Sequence, residues 1–498
     1  MRGYSRGCRA RGRKACGLLQ TEQLRRVRTT PVTTTARMQR WWWIYALAAA
    51  TYLPTLAFHY VGEEAIFAIS SLEMWYHGEW GRQLLYGGEL KHNPLYNWLI
   101  IPLASAVGWE HVLAVARALT VCATVATGLV VAWLSHALYR DTRFAALAAL
   151  VYITFADVFF YRGWLAYVDP LFAFFIAAAL ACLWVGCERR QALLLAVAVA
   201  SLTAAFMSKA FTAYVFYGTA AFVLLFTPRY RAVLLAPASW LIHALGAALP
   251  AAWLAFVPAN TGQGGRMFAE ILAKLAPEGP GEYLLKLVTY PLETLARLLP
   301  ALLIAAYYLW RRRGAFDPGG DPHLRNAAWI CLLSYLPYWL APQSSVRYLL
   351  PLYPLVALLL ARVLWLLGEE ALRNLRRWLI AAIALKLAAV LVLFPYYQNR
   401  YRGENYAAAA RDIHVRTGGH SLYASNVSAS GLSVVAHLDI LRLPQPPLTF
   451  PPAQWESGFV IAYEPDPKLG EVSRQYRLGG NDLYLLCRGA ACAGGRRR

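Results

Sequence analysis

Long apolar runs separated by short polar connectors fill the chain from Trp41 to Pro395. A helix rises 1.5 Å per residue, so a hydrocarbon core of about 30 Å needs about 20 apolar residues. Runs near that length fall at 41–58, 112–137, 144–160, 168–187, 191–207, 210–227, 232–257, 287–310, 327–341, 348–367 and 378–395, eleven in all. The connectors 139–143, 188–190, 229–231, 311–313 and 373–377 are basic and share one side with the N-terminal tail. Lys/Arg-rich loops stay in the cytoplasm, so that side is expected there, and an odd number of crossings sends the C-terminus outward. The pattern predicts a polytopic α-helical membrane protein with about eleven transmembrane helices.

On the expected outward side lie a long loop, 59–111, the short segments 161–167 and 341–347, the loop 258–286, and everything after Pro395. The first loop carries Glu63, Glu64, Glu73, Glu79 and Glu89 among amphipathic stretches such as 65–75, which suit helices lying in the membrane interface. Residues 396–498 alone have soluble composition. Alternating stretches at 458–463 and 482–487 and a polar helical stretch near 406–415 predict a small α/β domain. The expected organisation is thus a basic cytoplasmic tail over 1–40, a membrane domain over 41–395 and an extracytoplasmic domain over 396–498. Met38, just before Trp41-Trp42-Trp43, is a second candidate start.

Composition sharpens this picture. The 498 residues are 58% hydrophobic and 15% charged, against roughly 25% charged in soluble proteins. The net charge of +21 is the kind of excess that binds nucleic acid, but +10 of it sits in residues 1–40, and the rest punctuates apolar runs. Attraction to anionic lipid explains that placement better, so no nucleic-acid partner is expected. Cys122, Cys182, Cys187 and Cys331 lie in or beside apolar runs and read as small buried hydrophobes. Cys487 and Cys492 lie outside any such run, and a disulfide between them is expected in an oxidising compartment.

The chain has no GxxxxGK[ST] loop, no GxGxxG after a strand, no Asp-x-Asp pair and no CxxC or HExxH spacing. Nucleotide hydrolysis, a soluble nucleotide-sugar donor and a zinc site therefore have no sequence support. What remains is a set of acids and bases at the outward face. Glu63 and Glu64 are adjacent carboxylates whose repulsion favours one general base, although a solvated loop start reads the same way. Asp169, before Pro170, either faces a cavity or caps a helix. Lys91, His92, Tyr96 and Trp98 mix cations and aromatics suited to phosphate and sugar contact, or to an interfacial anchor. Lys209 and Arg347 sit at outward helix ends, where they either snorkel or bind a lipid phosphate.

In this order the features resemble the membrane GT-C glycosyltransferases of the lipid A aminoarabinose transferase and protein O-mannosyltransferase type. The likeness covers roughly residues 41–440. Glu63-Glu64-Ala65-Ile66-Phe67 resembles that family's acidic pair at the start of the first outward loop. His92-Asn93-Pro94-Leu95-Tyr96-Asn97-Trp98 resembles its Lys-Pro-Pro-Leu-x-x-Trp element, Ser208-Lys209-Ala210 its Thr-Lys-Gly element, and Arg347 to Pro354 its Arg-Tyr-x-Leu-Pro-x-x-Pro helix start. Asp169 matches a second acid at an outward helix mouth. The chain departs from the pattern at Glu63, where the family has Asp, at His92, where it has Lys, and at Ala210, where it has Gly.

The resemblance implies a GT-C-like fold in a bacterial inner membrane and an inverting transfer. A sugar would pass from a polyprenyl-phosphate-linked donor to a lipid A, glycolipid or other envelope acceptor hydroxyl. Glu63 would be the general base, with Asp169 and Glu64 beside it in the catalytic group. Lys91 or His92, Lys209 and Arg347 would bind the donor phosphate, while Tyr96, Trp98 and Tyr348 would line the substrate. The implied chemistry requires no cofactor; a divalent ion near Glu63, Glu64 and His92 stays open without a spacing signature, and no metal ligands are assigned. Two other readings stand beside it: a lipid-linked glycan transporter or flippase, and a non-catalytic envelope scaffold.

Overall fold

The computed structural model describes residues 31–90, 93–209, 211–256, 269, 272–273, 279–311, 320–401, 405–478 and 482–495. The basic tail before residue 31, and Lys91, His92 and Ala210, lie outside the described residues. The chain is a polytopic helical membrane protein with a small C-terminal mixed sheet. Among the described residues five helices are long and apolar enough to cross a membrane: Trp109–Tyr139, Val168–Arg189, Pro237–Ala255, Val346–Leu366 and Glu369–Gln398. Pro280–Arg297 and Ala301–Arg311, bent by 99°, make a sixth if counted as one span.

Several runs read as spans form shorter apolar helices, namely Thr142–Ile153, Ala192–Ser208 and Thr212–Leu225. Packing accounts for the first of these. Asp141 caps it by accepting from the Arg143 and Phe144 N–H groups, and every residue from Phe144 to Ile153 is buried. Its alanines admit close neighbours, as small residues do between membrane helices. The helices Pro31–Ala50, Val112–Tyr139 and Tyr353–Leu366 pack around it. Its 12 residues rise about 18 Å. Its apolarity serves the packed core as well as a membrane setting.

A second apolar core joins two distant stretches of sequence and takes in the first turns of Val112–Tyr139 and Val168–Arg189. It unites Tyr60, Phe67, Leu72, Tyr86 and Tyr96 with Leu432, Val435, Ile461 and Leu485. The sheet strands are β1 (Leu84–Leu85) and β2 (Gly88–Glu89), an antiparallel hairpin, and β3 (Leu422–Ala424), β4 (Gly458–Ala462), β5 (Glu471–Arg477) and β6 (Asp482–Arg488). The last four run in the order β3-β4-β6-β5. β3 and β4 are parallel, joined by a crossover containing helix Ala429–Leu441, and the other pairs are antiparallel. Cys487, at the end of β6, is disulfide-bonded to Cys492 with their Cα atoms 5.2 Å apart.

The β1–β2 hairpin pins the loop over 59–111 to this sheet. Its two turn residues, Tyr86 and Gly87, both have positive φ, 55° and 75°, as a two-residue turn of this hand requires. Tyrosine rarely adopts that conformation, and Glu73 holds it there by accepting from the Tyr86 N–H at 2.6 Å and the Gly87 N–H at 3.0 Å. The Tyr86 hydroxyl donates to the Asn426 carbonyl at 2.9 Å, and its own carbonyl accepts from the Phe450 N–H at 3.0 Å. Asp439, also buried, accepts from the Leu448 N–H at 2.8 Å.

Burial pushes the Glu73 carboxyl up to about 7 and the Asp439 carboxyl up to about 8; each carboxylate also raises the energy of ionising Tyr86. The charge of Arg442 opposes the rise at Asp439, and that of Glu73 adds to it. In the unfolded chain both carboxyls titrate near 4. The folded state therefore holds protons that the unfolded state has lost, and stability falls as pH rises from about 4 to about 8. Amide exchange at Tyr86, Leu448 and Phe450 is expected to be slower at pH 5.5 than at pH 8.5, after correction for intrinsic rates. Asp439→Asn should flatten much of that difference.

Candidate active site

The site is organised by an ion pair that the sequence does not announce. Arg117, on helix Val112–Tyr139, and Glu64 have no exposed side-chain surface. Arg117 Nε donates to Glu64 Oε1 at 2.9 Å and Nη2 donates to Oε2 at 2.5 Å. The remaining guanidinium hydrogens go to the carbonyls of Thr55 (2.9 Å), Phe58 (2.6 Å) and His59 (2.8 Å). Glu64 also accepts from the N–H groups of Val61 at 2.8 Å and Ala166 at 2.7 Å. The Trp164 ring lies 5.2 Å from the guanidinium carbon. Both charges are thus hydrogen-bonded as well as paired, the condition under which a buried pair is tolerated.

This pair ties the end of the first helical region, the start of the loop over 59–111 and the segment before Asp169 to one guanidinium. It also separates the roles of the two glutamates. The repulsion expected between Glu63 and Glu64 is met by Arg117, and the Glu64 oxygens are occupied by structural partners. Glu63 is exposed, and its backbone N–H donates to the Tyr167 hydroxyl at 3.1 Å. Gly62 makes the turn between Val61 and Glu63 with φ +60°, and a Cβ there would lie 2.6 Å from the Tyr167 hydroxyl oxygen.

Asp169, in the first turn of Val168–Arg189, receives a hydrogen bond from Lys209 Nζ. The N-cap of that helix is Tyr167, so Asp169 sits inside the first turn and not at the cap, with Lys209 as its ion-pair partner. Lys209 follows the last residue of helix Ala192–Ser208, and its ammonium lies 5.0 Å from the centre of the Tyr348 ring and 5.8 Å from that of Phe172. Arg347 donates to the Tyr348 hydroxyl at 3.3 Å. Its charge interacts with both Asp169 and Glu63. Glu63, Asp169, Lys209, Arg347 and Tyr348, separated by up to 285 positions in sequence, therefore form one electrostatic cluster.

The expected substrate-lining residues divide. Tyr348 belongs to this cluster. Tyr96 is fully buried; its hydroxyl donates to the Ala116 carbonyl at 2.8 Å and lies 3.0 Å from Thr120 Oγ1, so it fastens Leu95–Val107 to Val112–Tyr139. That placement corrects the lining role: an aromatic at a helix N-terminus packs inward here because its hydroxyl has buried partners. Trp98 is partly exposed, and its indole N–H donates to the Trp80 carbonyl at 2.9 Å. Asn93, from the same element, donates to the Phe206 carbonyl at 2.8 Å, three residues before Lys209. This bond ties the start of Leu95–Val107 to the last turn of Ala192–Ser208. Among the described residues no group of three His, Cys, Asp or Glu side chains is placed to hold a metal ion.

With this geometry in hand, the chain can be compared with known proteins. The family model for dolichyl-phosphate-mannose-protein mannosyltransferase matches residues 34–259. The chain is 28% identical over 355 residues to the undecaprenyl phosphate-alpha-4-amino-4-deoxy-L-arabinose arabinosyl transferase of Pseudomonas paraeruginosa (strain DSM 24068 / PA7), covering 68% of this chain and 61% of that one. It is 29% identical over 343 residues to the protein of the same name from Pseudomonas aeruginosa (strain UCBPP-PA14), covering 66% and 60%. The chain thus spans about three fifths of the length of these curated relatives.

ArnT from Cupriavidus metallidurans bound to undecaprenyl phosphate superposes with a TM-score of 0.63 at 14% identity, covering 90% of this chain and 98% of that one. Its apo state gives 0.61 over the same shares. At that identity the likeness establishes the fold alone, which is ArnT-like. In sequence the chain is similar to the mannosyltransferase family model over residues 34–259 and to the two arabinosyl transferases.

Two variants test the scaffold. Arg117→Met leaves the Glu64 carboxylate buried without its counter-ion and is expected to cost about 3–5 kcal/mol of stability, read as a lowered melting temperature in detergent. Gly62→Ala meets both an unfavourable backbone region and the Tyr167 hydroxyl. It should destabilise by about 1–2 kcal/mol, with part of the loss recovered in the double variant with Tyr167→Phe.

Proposed function

We propose that this protein is a polyprenyl-phosphate-sugar-dependent glycosyltransferase acting on a lipid A, glycolipid or other cell-envelope acceptor hydroxyl. The observation that carries the reading is the convergence of an exposed carboxylate, Glu63, on a loop fixed by the Glu64–Arg117 pair, with Asp169, Lys209 and Arg347. The family match and the names of the relatives support the donor class.

In this reading the acceptor hydroxyl attacks the anomeric carbon from the face opposite the phosphate. Its proton passes to the Glu63 carboxylate as the bond between that carbon and the phosphate oxygen breaks, so the product has inverted configuration. Polyprenyl phosphate leaves with the bonding electron pair. Lys209 and Arg347, with Lys91 or His92, stabilise the growing phosphate charge. Asp169 orients Lys209 and the acceptor, and Glu64 acts through the loop it anchors. Trp98 and Tyr348 border the sugar. No cofactor enters this scheme.

The same proposal gives the chain about eleven crossings, a cytoplasmic N-terminal side over 1–40, a catalytic membrane domain over 41–395 and an outward domain over 396–498. The one-sided distribution of basic connectors supports that orientation. A bacterial inner membrane is its setting, with the C-terminal domain in the periplasm.

The test is transfer of labelled sugar from polyprenyl-phosphate donors in membranes carrying wild type or Glu63→Gln at matched expression, with total envelope extract as acceptor. Loss of a general base costs about 10²–10⁴-fold, so Glu63→Gln is expected to lose transfer to that extent. Equal transfer in both would remove Glu63 from catalysis.

A further inference from the structure

Helix Pro280–Arg297 turns its apolar side out and its polar side in. Leu284, Leu285, Val288, Leu292 and Leu295 form an exposed stripe. Lys286, Tyr290 and Arg297 recur at helical spacing on the opposite side, and the helix packs against Pro322–Leu340 and the turn Val346–Leu352. In a membrane protein such a stripe suits lipid, so the polar groups behind it need partners within the protein.

Those partners are the carbonyls that end Pro322–Leu340. The last four carbonyls of a helix have no partner inside it. Here that of Pro337 accepts from the Ala341 N–H at 3.0 Å. Lys286 Nζ donates to those of Tyr338, at 3.0 Å, and Trp339, and reaches on to that of Ala341 at 2.6 Å. The Tyr283 hydroxyl donates to that of Leu340 at 2.9 Å. The Trp339 indole N–H donates back to the Leu287 carbonyl at 2.9 Å. The aligned carbonyl dipoles at this end favour a cation, and Lys286 supplies it.

From this clamp the backbone runs straight into the candidate site. The Ala341 carbonyl also accepts from the Ser344 N–H at 3.2 Å, and the Ser345 carbonyl accepts from the Tyr348 N–H at 3.0 Å. Val346–Leu352 follows, carrying Arg347 and Tyr348, and the Tyr348 ring faces the ammonium that pairs with Asp169. The same helix holds the chain where it leaves this turn. Arg297 Nη1 donates to Asp157 Oδ2 at 2.9 Å, and the Tyr353 hydroxyl donates to that oxygen at 3.2 Å. The turn is thus held on both sides by one helix, by Lys286 before it and by Arg297 after it.

We propose that Lys286 is a positioning residue of this site: by gathering the carbonyls of Tyr338, Trp339 and Ala341 it fixes where the chain enters the Val346–Leu352 turn, and so where Arg347 and Tyr348 stand. It touches neither substrate nor reacting atoms. What the turn does for the reaction rests on the glycosyl-transfer reading above; the clamp itself does not. Three donors on a compact ammonium suit three converging carbonyls, and an uncharged side chain of similar length leaves them unpaired. A displacement of about 1 Å at a reacting centre costs up to about 100-fold in rate, so a residue this far from the chemistry can still govern it.

The experiment compares wild type, Lys286→Met, Lys286→Arg, Arg347→Gln and the double variant Lys286→Met/Arg347→Gln, each as the purified full chain in detergent. Two quantities are read: amide exchange at Ser344 and Tyr348, and kcat and KM for transfer of labelled sugar from a polyprenyl-phosphate donor to envelope extract. Lys286→Met is expected to speed exchange at both amides and to lower kcat about 10- to 100-fold with little change in KM. Lys286→Arg, which still carries donors to the carbonyls, should restore most of both. In the Arg347→Gln background Lys286→Met should cost less than about twofold more, because two residues acting through one element are not additive. A full additive loss there would show a general stabilising role and overturn the proposal, as would wild-type exchange and wild-type kcat in Lys286→Met. A wild-type protein that transfers no sugar would instead fail the glycosyl-transfer reading, and unchanged exchange in Lys286→Met would then overturn the clamp independently. Should Lys286→Met fold poorly, Lys286→Gln, shorter and uncharged, takes its place with the same outcomes.

Discussion

The active-face geometry depends on one buried ion pair. Arg117 has five hydrogen bonds to place, and its partners come from the carbonyls of Thr55, Phe58 and His59 and from both oxygens of Glu64. Glu64 in turn holds the amides of Val61 and Ala166. Removing either charge would strand the other in a site without water, so the four chain segments are fixed together or not at all. The carboxylate of Glu63 is thereby presented on a rigid turn one residue from the pair. A proton acceptor must be placed within about 0.5 Å to be effective, and elements locked by packing and hydrogen bonds achieve that better than a free loop.

The second constraint is that the loop over 59–111 and the C-terminal sheet share a core. Glu73 stabilises the strained Tyr86 turn, and Tyr86 is bonded to both Asn426 and Phe450. Asn93, further along the chain, is bonded to the Phe206 carbonyl in the last turn of the helix that precedes Lys209.

Much of this was legible in the sequence, and its limits have physical causes. Membrane class and the soluble C-terminal stretch follow from apolar run length and composition, which report directly on solvent. Hydropathy alone does not separate the buried Thr142–Ile153 from a lipid-facing helix, because residues packed in protein and residues facing lipid are equally apolar. The candidates Glu63, Asp169, Lys209, Arg347 and Tyr348 each lie at or next to a helix end. Arg117 lies inside an apolar run whose other residues hide it, although an arginine in a membrane helix is itself a signal. Tyr96 misled because aromatic residues at a helix start serve packing and ligand contact alike.

The central claim is that the cation-lined cluster beside Glu63 handles a sugar attached to a lipid phosphate. Its most direct test offers the purified full chain two labelled donors, a polyprenyl-phosphate sugar and the corresponding nucleotide sugar, with envelope extract as acceptor. The account predicts transfer from the lipid-linked donor alone, with one polyprenyl phosphate released per sugar moved. Turnover of the nucleotide sugar, or sugar transfer without release of polyprenyl phosphate, would contradict it.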